Sequence, residues 1–205
     1  MIVKILNKSS KEFNGVSYND KKIDNGKGEL LSMKNFPPYI NSSSGTQDVK
    51  NYFKALSNNN KRIQNPQFHC TISAQGRTYS KDQLSDIADK FMDKMGYGKQ
   101  PFIVVFHNDT ANNHVHIVSS RVNKETGKRI DRDFEKYQSQ TALQETLKEL
   151  YGTDVHQKLD KLLDYNYSNL SQLQKLLENS GYGCYEKENR LKITQNGVFL
   201  KDIDI

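Results

Sequence analysis

Apolar residues along this chain recur in two rhythms, every second position in short runs and every third or fourth in longer ones. The first marks half-buried strands and the second amphipathic helices. Ile2 to Leu6 reads as a strand. Asn7 to Asn19 is polar with one glycine, which predicts a loop or a short irregular helix. Asp24 to Gly45, with Pro37-Pro38 and Ser42 to Ser44, predicts irregular chain. Thr46 is placed to cap a short helix bearing Val49, Phe53 and Leu56. QFHCTIS, from Gln67 to Ser73, predicts a strand. The clearest helix follows: Ser80 and Gln83 have capping-box spacing, Leu84, Ile87, Ala88, Phe91, Met92 and Met95 share a face, and Gly96 marks the stop. Phe102 to His107 and His114 to Val122 are apolar enough for central strands. A glycine turn lies within Lys124 to Lys128, and a helix is expected from about Asp133 to Tyr151, closed by Gly152.

Beyond that point the pattern changes. Ser168 is placed to cap a helix with Leu170, Leu173, Leu176 and Leu177, and Asn196-Gly197 between two strand-like runs is a strong hairpin signal. Strands and helices do not alternate strictly. The expected class is therefore α+β, an antiparallel central sheet with helices packed on it. Residues 1–152 make the expected main domain, and residues 153–205 a small helix plus β-hairpin module.

Composition changes this picture in two ways. Thirty Lys and Arg against 24 Asp and Glu leave +6, which suits a polyanionic partner but equally suits a solvated surface. The two cysteines, Cys70 and Cys184, stand far apart without metal-ligand spacing, which excludes a disulfide scaffold and a zinc ribbon. The longest apolar run is FIVVF, too short to enter a membrane as a span, and MIVKILNKSS lacks the apolar stretch of a signal peptide. A cytoplasmic setting is expected.

Three of the five histidines fall in FHNDTANNHVHIV. His107 ends one predicted strand, and His114 and His116, two apart, share a face of the next. If these strands pair as a hairpin, His107 returns opposite them. Three imidazoles on one face fit a divalent metal better than they fit core packing, and three protein ligands leave positions open for water or substrate. Asp109 is placed to orient an imidazole from outside the ligand set. His69, in the QFHCTIS strand, is placed to lie near the same sheet face and reads as a structural residue or a DNA contact rather than a fourth ligand, and His156 reads as a surface residue.

FHNDTANNHVHIVSSRV resembles the three-histidine motif of conjugative and mobilisation relaxases, members of the wider HUH endonuclease class. The family's pattern, His-x-Asp, four residues, then His-x-His, is met at His107, Asp109, His114 and His116. MGYGKQPFIVVFH resembles the lead-in common in mobilisation proteins, RVNKETGKRI the turn that follows, and QFHCTIS the earlier histidine-containing strand. GVSYNDKKI followed by GELLS is similar to the family's first motif, which supplies a nucleophilic tyrosine. The likeness runs from about Met1 to Gly152, with relaxases of Bacteroides-type mobilisable elements as the nearest type, and implies an HUH relaxase-like fold.

The resemblance implies nicking of one DNA strand at a transfer origin. Tyr18 would attack the scissile phosphate, leaving a 5′-phosphotyrosine link and a free 3′-hydroxyl. A divalent ion, Mg²⁺ or Mn²⁺ foremost, is expected on His107, His114 and His116. Lys21 and Lys22 beside Tyr18, Arg121 on the metal strand, and Lys128 and Arg129 in the following turn are the expected DNA contacts, with Lys61, Arg62, Lys124 and Arg132 as further basic residues nearby. Exposed aromatics would stack on single-stranded bases. Expected partners are single-stranded DNA at the nic site of oriT, an accessory mobilisation protein and a type IV coupling protein, with no membrane insertion. Two other readings compete. In an HUH replication initiator the nucleophile follows the histidines, which points to Tyr137. In a non-catalytic nucleic-acid-binding protein the histidines would hold a structural metal.

Overall fold

The computed structural model describes residues 1–6, 11–130 and 133–205. Asn7 to Ser10 of the predicted N-terminal loop, and Arg132 among the expected basic contacts, lie outside the described residues. The chain divides into two compact units, Met1–Ala142 and Leu143–Ile205.

The first unit begins with strand β1 (Ile2–Ile5), helix α1 (Asn14–Asp24), strand β2 (Gly28–Lys34) and helix α2 (Thr46–Ser57). Strand β3 (Gln67–Ser73), helix α3 (Lys81–Lys94) and the pair β4 (Phe102–His107) and β5 (His114–Ser120) follow. Helix α4 (Glu135–Tyr151) then runs across the division between units. The five strands form one sheet in the order β1-β3-β5-β4-β2, and every neighbouring pair is antiparallel. The α+β class expected from the sequence is the class observed.

Side-chain alternation gives this sheet two buried faces. Ile103, Val105 and Val118 point one way and pack with Phe13, Val16, Val49 and Phe53, so α1 and α2 cover that face. Phe13 enters with positive φ (51°) just before α1 and stacks on Phe53, ring centres 5.0 Å apart. The alternate positions, Val104, Val115 and Ile117, are equally buried, and α3 crosses β2, β4 and β5 with Leu84, Ile87, Phe91 and Met92 fully enclosed. Helix α3 starts as its sequence predicts: the Ser80 hydroxyl accepts from the Gln83 amide at 3.2 Å, and the Gln83 side chain accepts from the Ser80 amide at 2.9 Å. It stops at Gly96 (φ 80°), where the Tyr97 amide donates to Met92 and the Gly96 amide to Asp93, the paired bonds of a Schellman cap.

Two local expectations change. Helix α1 is regular where loop or irregular helix was expected, and strand β2 occupies part of the stretch expected to be irregular. No residue of β2 is fully buried, and its pairing with β4 is interrupted between Leu30 and Ser32, so it carries no clean alternation. Thr46 is the first residue of α2 rather than its cap, which is Gly45.

The second unit contains helix α5 (Val155–Leu163), helix α6 (Leu170–Asn179) and strands β6 (Gly183–Lys187), β7 (Arg190–Gln195) and β8 (Val198–Asp204) in sheet order β6-β7-β8. Leu159, Leu173, Leu177, Tyr182, Leu191 and Ile193 form its core. The β7–β8 turn holds Asn196 and Gly197 with positive φ (52° and 83°), as the hairpin signal requires. An additional hairpin turns at Glu188 and Asn189, also with positive φ (56° and 59°) but without a glycine to announce it. Asn169, rather than Ser168, caps α6, accepting from the Gln172 amide at 3.0 Å.

Candidate metal centre

In the β4–β5 hairpin His107 pairs directly with His114, and Val105 with His116. Residues two apart share a face, so all three histidines point to the side covered by α1 and α2. One ring nitrogen from each lies within 4.8 Å of those of the others. The rings of His107 and His116 stack at 4.2 Å, and those of His107 and His114 meet edge-on at 5.3 Å.

These residues fit a divalent cation. His107 is fully buried, and neither ring nitrogen has a hydrogen-bond partner among the described residues. An unsatisfied buried polar group costs on the order of 1–3 kcal/mol, which a coordinated ion would offset. Burial, reinforced by the neighbouring imidazoles, pushes His107 down to about 4 and His116 to about 2. Both are thus neutral near pH 7, with lone pairs available for ligation. Nδ1 of His114 lies 3.0 Å from the Asn112 carbonyl. A proton donated there leaves Nε2 as the lone-pair nitrogen.

Three further side chains join the site. Asp109 accepts from the Lys22 ammonium at 2.5 Å, and its other oxygen is 3.8 Å from Nε2 of His114. The Lys22 bond holds the Asp109 carboxyl below the usual carboxylate range. Tyr18, one helical turn before Lys22, is 47% exposed, and its ring centre lies 5.9 Å from that of His107 and 5.5 Å from that of His116. The Lys22 ammonium is 5.7 Å from the centre of the Tyr18 ring. Helix α1 reaches this position because it approaches β3 at a glycine: the Gly15 amide donates to the Gln67 side chain at 2.8 Å. Buried Asn19 braces the same turn, donating to the Gly15 carbonyl at 2.8 Å.

His69 falls on the same sheet face as the triad, the placement its strand allowed, and its contact with His116 is what the sequence did not disclose. It lies on β3, and its Nε2 is 3.0 Å from Nδ1 of His116. Only the β3–β5 register reveals that proximity. His156 is exposed at the start of α5, as expected.

The basic residues separate into three groups. Lys22 is in the site, and Lys21 is exposed beside it on α1. Lys128 and Arg129 are exposed in a turn past the far end of β5. With Arg129 opposite Val122, they stand about 20 Å along the strand from His116. Asn60 donates to the Gly127 carbonyl at 2.9 Å, so exposed Lys61 and Arg62 gather at that same end. Arg121 is buried. It is 4% exposed, both terminal nitrogens bond Glu135, Nε donates to the Gln67 carbonyl, and the guanidinium lies 5.3 Å from the Phe68 ring. Its charge is paired with Glu135 inside the first unit. Tyr137 is 50% exposed on α4, whereas the tyrosine ring against His107 and His116 is that of Tyr18.

A five-stranded antiparallel sheet thus carries three imidazoles that could hold a metal ion on one face, with a tyrosine ring beside them. The model of the family described as Relaxase: MobA/VirD2-like, nuclease domain, matches residues 16–152, and the chain belongs to that family. A relaxase nuclease domain binds single-stranded DNA and nicks DNA in mobilisation, and the family uses divalent metals. No curated relative and no solved structure matches the chain. Among the described residues, no helix is long and apolar enough to cross a membrane.

Proposed function

We propose that this chain nicks and rejoins one DNA strand at the nic site of a transfer origin, with Tyr18 as nucleophile. The observation carrying this reading is the Tyr18 ring at 5.5 and 5.9 Å from two of the three clustered histidines. The phenolic oxygen bonds to phosphorus as the bond from phosphorus to the 3′-oxygen breaks. The phenol loses its proton, and the departing 3′-oxygen gains one. The product is a 5′-phosphotyrosine that keeps the phosphodiester reactive, so the reverse attack by a 3′-hydroxyl reseals the strand. A divalent cation such as Mg²⁺ or Mn²⁺, held by His107, His114 and His116, would supply positive charge to a non-bridging phosphate oxygen.

The remaining roles belong to side chains. The attacking oxygen must shed its proton as the bond to phosphorus forms, and Lys22 supplies a cation beside the Tyr18 ring. Asp109 holds that ammonium in place and faces His114, acting as a positioning group. Lys21 contacts phosphate near the scissile position. Lys128 and Arg129, at the far end of β5, contact the strand well away from it. Residues 1–152 are the relaxase domain in this reading, and residues 153–205 an appended module.

Tyr18→Phe removes one oxygen and keeps the ring. The variant should bind single-stranded oriT oligonucleotide with the wild-type salt dependence yet form no adduct that survives a denaturing gel. Peptide mapping of the adduct trapped by the wild-type protein should place the label on the Tyr18 peptide. Label on the Tyr137 peptide would replace this reading with the replication-initiator order.

A further inference from the structure

We propose that His69 is a positioning residue that fixes the ring plane and tautomer of His116, and that Gly15 is glycine so that α1 can close over that pair. The proposal rests on the reading that His107, His114 and His116 hold a divalent cation.

The sheet register makes the contact. Thr71 pairs with His116 and His69 with Val118, so His69 stands diagonally across the β3–β5 ladder from His116 on the same face. Diagonal neighbours are within reach of long and aromatic side chains. Here Nε2 of His69 comes to 3.0 Å from Nδ1 of His116, and both residues are 6% exposed. A hydrogen bond between two neutral imidazoles needs a proton on one nitrogen and a lone pair on the other. With Nδ1 of His116 engaged by His69, Nε2 is the nitrogen left for a cation. Ligation through Nε2 requires that nitrogen to be bare, so the proton resides on Nδ1 and points at His69. His69 must then accept on Nε2 and carry its own proton on Nδ1. One contact thereby specifies both tautomers.

The other two ligands show why such a partner matters. His114 is steadied from outside by the Asn112 carbonyl, 3.0 Å from its Nδ1. His107 is wedged in place, fully buried between the other two rings. His116 has a side chain where His114 has main chain, and that side chain also bears on the nucleophile's helix. A Cβ at Gly15 would fall 2.9 Å from Nδ1 of His69, 3.0 Å from the Gln67 side-chain oxygen and 3.2 Å from Val118. A methyl group there must displace His69 or lift α1, and with it Tyr18.

The experiment uses the full chain and Mn²⁺ alone as the probe. Partners that orient a ligating histidine typically change metal affinity 10- to 100-fold, so His69→Leu should weaken Mn²⁺ binding by calorimetry by about that factor. Its far-UV circular dichroism and melting profile should still report a folded chain. His69→Gln, whose amide can reach a similar point, should recover most of the affinity. In metal-free wild-type protein, ¹⁵N shifts should show His116 protonated on Nδ1 alone, and His69→Leu should show both His116 tautomers. Unchanged Mn²⁺ affinity in His69→Leu would overturn the proposal, and so would equal weakening by Gln and Leu, which would indicate packing without a hydrogen bond. Should the wild-type chain bind no Mn²⁺, the metal reading itself fails. The ¹⁵N shifts then judge His69 separately, and mixed His116 tautomers in the wild type would overturn it. The wild-type spectrum and the Gln variant keep the test decisive even if the Leu variant does not fold.

Discussion

At the scale of single residues, burial decides which charges face the site and which serve the fold. Arg121 and Lys22 are both cations near strands of the sheet, yet the Arg121 guanidinium is enclosed with Glu135 while Lys22 is only partly buried. Removing one partner of a buried ion pair leaves the other uncompensated, at a typical cost of about 3–5 kcal/mol. Arg121→Met should therefore lower the urea midpoint strongly while the folded protein keeps its salt slope for single-stranded DNA. A slope reduced by about one unit with little loss of stability would instead make Arg121 a phosphate contact. A proposed ligand and the carboxylate beside the triad should also separate by readout. His116→Ala removes a ligand and should abolish both Mn²⁺ binding and nicking in a chain that still folds. Asp109→Asn keeps shape but loses the charge that holds Lys22, so single-turnover nicking should fall far more than Mn²⁺ affinity. Equal loss of affinity in the two variants would move Asp109 into the ligand set.

At the scale of elements, what the sequence disclosed follows how locally each element is specified. Helix α3 was legible to its last residue, because cap, apolar face and glycine stop are all written within Ser80 to Gly96. Ser80→Ala should accordingly cost about 1 kcal/mol in urea denaturation, the usual loss for an N-cap of this type, and a change near zero would show the capping box to be dispensable. The triad was legible for the same reason: period two plus a short loop suffices to bring His107 opposite His114. Strand β2 was not, since an edge strand with no fully buried residue and an interrupted register has nothing local to mark it. Helix α1 escaped because few of its residues face the core, Gly15, Val16 and Asn19 being the buried ones. The approach of His69 to His116 and of Lys22 to Asp109 spans 47 and 87 residues of sequence. Such contacts are set by strand register and helix placement, which no short pattern encodes.

At the scale of the whole molecule, the two cysteines report on the two compact units separately. Cys70 lies on β3 in the first unit, fully buried, and Cys184 on β6 in the second, half-buried. Burial raises both thiols above their ordinary pKa, Cys70 by far the more. Only the thiolate reacts with a disulfide reagent, so near pH 8 the native chain should label slowly at Cys184 and at Cys70 only through opening of the sheet. Cys70 pairs with Ile117, one residue past His116, so that opening dismantles the three-histidine cluster. A ligand that binds only the closed form stabilises it by about 2.7 kcal/mol at 100 times its Kd, which corresponds to roughly 100-fold slower labelling of Cys70 where closing outpaces reaction. Mn²⁺ at that excess should produce this slowing in the wild-type chain and none in His116→Ala. Cys184 supplies the internal control, its rate unchanged by the ion if the second unit opens by itself. Equal protection of both thiols would mean that the units open together, and protection of neither, with binding verified by calorimetry, would place the ion outside the sheet that carries His107, His114 and His116.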